Sequence, residues 1–152
     1  MIGMRRARAE EADSLTSIMR ASRAYGGEYY VMVKRYAVTP HMIQTEEVWV
    51  AEEHGEVLGF YCLLDGPRPE LDLMFTIDDA QGRGIGKTLF QHMKIRAHAR
   101  RFPSVRIVSH PPSVGFYTRM GARLIGNVPS TGHVTWSRPE LELIVPQEAS
   151  AK

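Results

Sequence analysis

The feature that most constrains the fold is a glycine-rich turn at residues 81–88, which stands between an apolar strand pattern and a helix pattern. The helix pattern runs over residues 84–101, and its apolar positions recur every four residues, so one helical face is expected to pack on a core. At such a turn, backbone N–H groups and the helix dipole converge, and glycine lets a ligand approach the backbone closely. Arg83 and Lys87 add positive charge. The turn therefore predicts an anion site, best suited to a phosphate or pyrophosphate.

Two nucleotide-binding patterns fit this turn poorly. A Walker A loop, G-x-x-x-x-G-K-[ST], would share the ending Gly86-Lys87-Thr88, but its first glycine would fall on Gln81. A dinucleotide fingerprint, G-x-G-x-x-G, would need a glycine at Lys87 or at Leu89. A turn that only packs a helix on a sheet would not require three glycines at alternating positions and two cations. The pattern Q-x-x-G-x-G, by contrast, matches residues 81–86 in full.

Patterns along the rest of the chain predict a mixed α/β fold. Apolar runs bounded by turn residues predict strands over residues 4–9, 48–51, 57–64, 71–77, 105–108, 122–126 and 141–145. Further helices are predicted from a cap at Asp13 or Ser14 to about residue 26, from Thr39 within the irregular segment 28–47, and over residues 111–121. This order predicts helices on a mixed sheet, with parallel strands around the long helix.

Composition limits the classes of protein without naming one. A chain of 152 residues is expected to form one domain over residues 1–152, with a core that needs no disulfide or metal. The longest apolar stretches are far shorter than the roughly 20 residues that cross a bilayer, and the first residues lack a signal peptide's apolar core. A net charge of +2 is small for a nucleic-acid-binding protein. The single cysteine, Cys62, suits a reducing cytoplasm, so a cytoplasmic protein without a membrane or nucleic-acid partner is expected.

Three stretches resemble the GNAT superfamily of acetyl-CoA-dependent N-acetyltransferases. The first is the Q-x-x-G-x-G turn, which in that family binds the pyrophosphate of CoA. The second is residues 115–122, similar to the family's F-Y-x-x-x-G-F segment, with Ala122 in place of the last aromatic residue. The third is residues 5–13, similar to the family's first strand and helix start. The resemblance implies a central mixed β-sheet flanked by helices, with two splayed parallel strands that admit the pantetheine arm.

The resemblance also implies which residues contact acetyl-CoA. The backbone of the strand before the turn would pair with pantetheine, and the amides from Arg83 to Thr88 would hold the pyrophosphate. The expected cofactor-binding residues are Phe75, Thr76, Gln81, Gly82, Arg83, Gly84, Ile85, Gly86, Lys87, Thr88 and His110. His110 would bond pantetheine or the loop, unless it is a surface histidine. Asp78 and Asp79 are expected to point away from the phosphates. The cations of the long helix are expected to lie mainly on a solvated face; they are Lys94, Arg96, Arg100 and Arg101. One or two of them could reach the 3′-phosphate of CoA.

Acetylation of an amine requires a neutral nucleophile, and a lysine-like amine with a pKa of about 10.4 is protonated at pH 7. A general base is therefore expected. Glu70 and Asp72 stand two residues apart, on one face of a strand. Glu70 falls where several family members carry a base and is preferred, with Asp72 or a water chain as alternatives. Tyr117 matches the family tyrosine that protonates the departing CoA thiolate, although a core tyrosine is the simpler alternative.

The acceptor site is expected among four tyrosines between the first helix and the first long strand: Tyr25, Tyr29, Tyr30 and Tyr36. Aromatic walls suit an aliphatic amine or a cation, and packing of an irregular segment is the alternative. Ser130 and Trp136 are lesser candidates. No histidine pair has the spacing and carboxylate partner of a metal site, so none is expected. Cys62 is expected to be a core residue.

The predicted activity is direct transfer of an acetyl group from acetyl-CoA to a primary amine of a small molecule or peptide, in a ternary complex. The alternative is a catalytically silent CoA-binding sensor or regulatory module. Because members of the family are often dimers, a homodimer is expected.

Overall fold

The computed structural model describes residues 2–129 and 137–147, and they form one seven-stranded sheet with helices on both faces. Ser130 and Trp136 lie outside the described residues. The strands are β1 (Gly3–Arg6), β2 (Glu47–Glu53), β3 (Glu56–Leu64), β4 (Glu70–Thr76), β5 (Ser104–Val108), β6 (Arg123–Val128) and β7 (Arg138–Ile144). The helices are α1 (Ala12–Ala21), α2 (Pro40–Thr45), α3 (Ile85–Ala99) and α4 (Val114–Arg119). This architecture confirms the predicted mixed α/β fold.

The sheet has the strand order β1-β2-β3-β4-β5-β7-β6, and β4 and β5 are its parallel neighbours. One face packs on α3, whose buried residues recur with the predicted four-residue spacing. The other face packs on α1 and α2, where Leu15 and Met19 meet Phe60 and Phe75. Cys62 is fully buried in this second core.

The parallel strands β4 and β5 separate soon after they begin. Glu70 and Arg106 are their only paired positions in the described part of the sheet, beside a hydrogen bond from the Arg106 N–H to the Pro69 carbonyl at 2.8 Å. Towards their carboxyl ends the two strands leave an opening, as the resemblance implies. The register between β3 and β4 also shifts, because Cys62 faces Leu73 while Leu63 faces Leu71. Asp72 is therefore the extra residue of a bulge at the start of the opening.

The first helix differs from its prediction at both ends. It begins at Ala12 after a short 3₁₀ turn, with Glu11 at its N-cap rather than Asp13 or Ser14. Glu11 is fixed there because its carboxylate accepts the Arg8 N–H at 2.8 Å. The helix ends at Ala21, and residues 23–32 form 3₁₀ turns instead of continuing it.

Other boundaries agree more closely with prediction. Thr39 caps α2 as expected, and its hydroxyl accepts the Met42 N–H at 3.1 Å. The first strand is shorter than residues 4–9, since it ends at Arg6. The segment expected to be helical from residue 111 starts as a 3₁₀ turn and becomes α-helical only at Val114.

The cations of α3 were expected to be mainly solvated, but two of them bind a buried carboxylate in β2. Glu47 is 4% exposed, and it accepts hydrogen bonds from Arg96 at 2.8 Å, Arg100 at 3.0 Å and Trp49 at 2.8 Å. Burial acts to raise the pKa of Glu47, but these hydrogen bonds outweigh it and hold the pKa at about 2. Arg96 and Arg100 therefore tie α3 to the sheet, because a buried carboxylate needs paired charge.

Candidate active site

The glycine-rich turn lies at the start of α3, beside the opening between β4 and β5. Gly82 and Gly84 have φ angles of 82° and 76°, which side-chain-bearing residues adopt only with strain. The Gln81 side-chain amide lies 3.5 Å from the Thr76 carbonyl and links the turn to the strand before it. These two glycines and this link direct the first N–H groups of α3 towards the opening.

The free amides of the turn are fewer than the expected run from Arg83 to Thr88. The Thr88 N–H donates to the Gly84 carbonyl at 3.0 Å, and the Arg83 N–H lies 3.4 Å from the Ala80 carbonyl. The N–H groups of Ile85, Gly86 and Lys87 belong to the first helical turn, which supplies no intrahelical acceptor for them. These three amides, at the positive end of a 15-residue helix, are the ones that suit an anion.

A cavity of about 490 Å³ extends from this turn to α4. Of the expected cofactor residues it is lined by Phe75, Thr76, Gln81, Gly82, Gly84, Ile85, Gly86 and Lys87. Arg83, Thr88 and His110 are not among its lining residues, and the Arg83 guanidinium instead pairs with Glu53 at 2.7 Å. Arg119, which was not among the predicted residues, supplies the second cation of the lining. Its position two residues before the glycine of the F-Y-x-x-x-G segment was the available signal.

A second, smaller cavity of about 200 Å³ adjoins the first along β4. The residues that line both cavities are Tyr25, Met74, Phe75 and Tyr117. Glu70, Asp72 and Tyr36 line only the second cavity. A larger open groove between α3 and the end of β7 shares no lining residue with either. The two joined cavities therefore form the candidate site, with the glycine-rich turn at one end and the carboxylates at the other.

The two carboxylates of the second cavity have different partners. Asp72 accepts a hydrogen bond from the Tyr36 hydroxyl at 2.5 Å. Glu70 pairs with Arg106 at 3.2 Å, and Arg106 also binds Glu140 at 2.7 Å. Burial raises the pKa of Asp72 more than the Tyr36 hydrogen bond lowers it. Burial likewise raises the pKa of Glu70 against the opposing charge of Arg106. Both groups are thus stronger bases than exposed carboxylates.

Tyr117 lies where the two cavities meet. Its side chain is buried beside Phe90 and Phe116, with ring centroids 6.0 and 5.4 Å away. Burial raises the pKa of the Tyr117 hydroxyl, so this group keeps its proton at neutral pH. A protonated hydroxyl at this junction can donate a hydrogen bond or a proton to a group in either cavity.

The four candidate acceptor tyrosines divide into two pairs. Tyr25 and Tyr36 line the second cavity, whereas Tyr29 and Tyr30 line neither cavity. Tyr25 stacks on His110 with ring centroids 3.9 Å apart, and Tyr29 contacts the same imidazole edge-on at 5.1 Å. His110 is fully buried, which rules out a surface histidine. It lies in an aromatic stack of which Tyr25 is the cavity-facing member.

Asp78 points away from the turn, as expected, because it is held by Arg23. Its carboxylate accepts the Arg23 N–H at 3.2 Å and faces the Arg23 guanidinium at 3.6 Å. Neither Asp78 nor Asp79 is among the lining residues of the two cavities.

The described residues lack two other kinds of feature, a cluster of metal ligands and a membrane-spanning helix. Over residues 2–129 and 137–147, no group of three or more histidine, cysteine or acidic side chains could hold a metal ion. Over the same ranges, the helices fall short of the length and apolar character needed to cross a membrane.

Comparisons with known proteins agree with this geometry. Residues 22–143 match the family described as the acetyltransferase (GNAT) domain. The peptidyl-lysine N-acetyltransferase YjaB of Salmonella typhimurium is 31% identical over 139 residues, which cover 83% of this chain and 86% of that protein. The 5-NmdU N-acetyltransferase of Pseudomonas phage PaMx11 is 34% identical over 82 residues, which cover 52% of this chain and only 59% of that protein.

A solved structure shows the same fold at lower sequence identity. The PaiA N-acetyltransferase of Thermoplasma acidophilum, in complex with coenzyme A, has a TM-score of 0.76 and 18% identity, over 95% of this chain and 99% of that one. The named relatives support an N-acetyltransferase enzyme over a silent binding module. The family match covers most of the chain, and the chain therefore belongs to the GNAT family of acetyltransferases.

Proposed function

We propose that this chain transfers an acetyl group from acetyl-CoA to a primary amine of a small molecule or peptide, directly and within a ternary complex. The observation that carries the proposal is the meeting of two cavities at Tyr117, one beginning at a phosphate-binding turn and the other lined by carboxylates. Two substrates bound in these cavities would approach each other at that junction.

The residues around the first cavity fit acetyl-CoA. The first-turn amides of α3 suit the pyrophosphate, and Lys87 and Arg119 add positive charge to the lining. Phe75 and Thr76 lie on β4 beyond its pairing with β5, where an extended pantetheine arm could add as a strand. When bound, acetyl-CoA supplies a thioester carbonyl that an amine can attack. Asp78 would not repel the phosphates, because it is held by Arg23.

In this proposal Asp72 is the general base, and Glu70 is the alternative. Glu70 is engaged by the fixed charge of Arg106, which favours its ionised form and weakens it as a base. The partner of Asp72 is the uncharged Tyr36 hydroxyl. Among the described residues no cation pairs with Asp72. A half-buried carboxylate in this setting accepts a proton more readily, so Asp72 suits removal of a proton from the bound ammonium, directly or through water. The sequence favoured Glu70 over Asp72 as the base, and the partners of the two carboxylates reverse that preference.

Tyr117 would protonate the departing thiolate. Its hydroxyl keeps its proton at neutral pH because burial raises its pKa, and it lines both cavities. The bound ammonium loses two protons in all. One passes to Asp72 before the attack, and the second leaves the tetrahedral nitrogen as the C–S bond breaks and replaces the proton that Tyr117 gives to the CoA sulfur. Asp72 then releases its proton to solvent, so the net reaction yields one proton. Cys62 has no part in this route, because it is buried in the core.

The test is a thiol-release assay with acetyl-CoA and a panel of polyamines, amino acids, aminoglycosides and peptides, with the product identified by mass spectrometry. The proposal expects release of CoA that depends on an amine, together with an N-acetylated product. Release at the same rate without any amine, or an O-acetylated product, would overturn it. A homodimer, a cytoplasmic location and a single domain over residues 1–152 stay predictions from the sequence.

A further inference from the structure

One cation in the second cavity has no role in the proposed reaction. Arg138, the first residue of β7, lines this cavity together with Glu70, Asp72 and Tyr36. It reaches the cavity because β7 pairs with β5, so the start of β7 lies beside the carboxyl end of β5. The Nε atom of Arg138 is buried and has no hydrogen-bond partner among the described residues.

The neighbouring arginines differ from Arg138 in this respect. Arg68 and Arg106 both bind Glu140, at 2.9 and 2.7 Å. Arg123, on the adjacent strand β6, pairs with Glu142 at 3.7 Å. Within the described ranges no ion pair joins Arg138 to Glu70 or Asp72, although all three line one cavity. A buried guanidinium N–H without a partner is costly, and such groups in native proteins call for a specific explanation.

A bound anion would supply the missing acceptor. A guanidinium matches the planar fork of a carboxylate, which it can bind through two parallel hydrogen bonds. The carboxylates that line the same cavity suit an ammonium group, so the cavity offers complementary charge to a molecule that carries both signs. The volume of about 200 Å³ limits this molecule to a compact one. An engineered cavity of about 150 Å³ in another protein holds a benzene molecule, which sets the scale.

We infer that the acceptor is a small amine that also bears a carboxylate, such as an amino acid, and that Arg138 binds this carboxylate while the amine faces Asp72. The inference rests on the proposed function and narrows its acceptor class. Arg138 then determines specificity and orients the amine towards the junction at Tyr117.

The experiment compares each standard amino acid with its own carboxamide, which has the same shape and lacks the negative charge. Both are offered with acetyl-CoA to the wild-type protein, to Arg138→Gln and to Arg123→Gln. Arg123 is the matched control, since it is an exposed arginine on the next strand and lines neither cavity. Converting the acid to the amide lowers the pKa of the amine, which favours the amide as a nucleophile. A preference for the acid therefore cannot come from amine basicity.

We expect the preferred acid to exceed its amide in kcat/KM by about 10- to 100-fold in the wild type. The ratio should fall to about one in Arg138→Gln and persist in Arg123→Gln. If amines are acetylated but acid and amide are used equally, or if Arg138→Gln leaves the ratio unchanged, the inference is wrong and the proposed function stands.

Calorimetric titration of amino acids into the CoA-loaded protein separates amino-acid binding at Arg138 from the proposed acetyl transfer. Binding by the wild type that is lost in Arg138→Gln, without any acetyl transfer, would support the anion site and overturn the proposed function. Absence of both binding and acetylation over the whole panel would overturn the inference. Thermal melting of each variant checks that the protein is folded.

Discussion

Asp72 and Glu70 lie in one cavity, yet their partners give them different chemistry. Asp72→Asn should lower kcat by about 100-fold or more, because it removes the proposed base while keeping an acceptor for the Tyr36 hydroxyl. Glu70→Gln should have the smaller effect, since Arg106 already engages that carboxylate. Steady-state kinetics of both variants would check this order. A larger loss in Glu70→Gln would return the base to the position preferred from sequence.

Asp72 also gives the stability of the fold a pH dependence, whose sign follows from the burial of its carboxylate. The pKa of Asp72 is raised, so its ionised form costs stability, and this cost grows as the pH rises through the raised pKa. Asp72→Asn should therefore be at least as stable as the wild type at pH 7 while being less active. Urea denaturation at pH 7 measures this. A variant that is both inactive and markedly less stable would indicate a structural role instead.

Tyr117, like Asp72, is a partly or fully buried residue whose substitution should change kcat. Tyr117→Phe keeps the ring contacts with Phe90 and Phe116 and removes only the hydroxyl. We expect kcat to fall by about 100-fold with little change in the affinity for acetyl-CoA. Acyl donors with a more acidic leaving thiol should recover part of the loss, because they depend less on protonation. An unchanged kcat would show that Tyr117 is only a core residue.

At the scale of elements, the start of α3 depends on the backbone conformation of one glycine. Gly84 has a φ of 76°, whereas Gly86 lies inside the helix, where an added Cβ would meet the Phe116 ring at an ordinary 3.5 Å. Gly84→Ala should cost roughly 1–2 kcal/mol of unfolding free energy. Gly86→Ala should be neutral, or stabilising by up to about 1 kcal/mol through helix propensity. Chemical denaturation of both variants tests the contrast, and equal losses would contradict it.

The link between α3 and the sheet predicts an acid-sensitive stability. The folded-state pKa of Glu47 is held at about 2, below its ordinary value of 4.5. Its pairing therefore stabilises the fold above pH 4.5, and this contribution is lost as the pH falls from there towards 2. Glu47→Gln should cost about 3 kcal/mol at pH 7, because Arg96 and Arg100 lose their buried partner. Denaturation curves at pH 7 and pH 3 would measure it, and an equal cost at both values would contradict this account.

At the level of the whole molecule, sequence patterns predicted the turns, strands and caps that depend on residues close together in the chain. The turn at residues 81–86, the strands β2 and β3, and the cap at Thr39 each follow from local spacing, and the structure agrees. The meeting of Tyr117 with Glu70 and Asp72 in one cavity followed from the family resemblance and the strand order.

Contacts between distant segments could not be predicted in this way. Arg83 is drawn to Glu53, thirty residues earlier, so a cation expected at the phosphates lies elsewhere. Glu47 becomes buried only because α3 crosses β2. Arg138 enters the site because β7 inserts between β5 and β6, which no local pattern indicates. The positions of these side chains are determined by packing and charge pairing across the sheet.

Direct transfer requires that both substrates are held together at the junction of the two cavities. Initial rates of CoA release, measured while acetyl-CoA and the amine are varied together, distinguish this route from one through an acetylated enzyme. We expect double-reciprocal lines that intersect, and protein that carries no acetyl group after incubation with acetyl-CoA alone. Parallel lines, together with an acetylated enzyme detected by mass spectrometry, would contradict it.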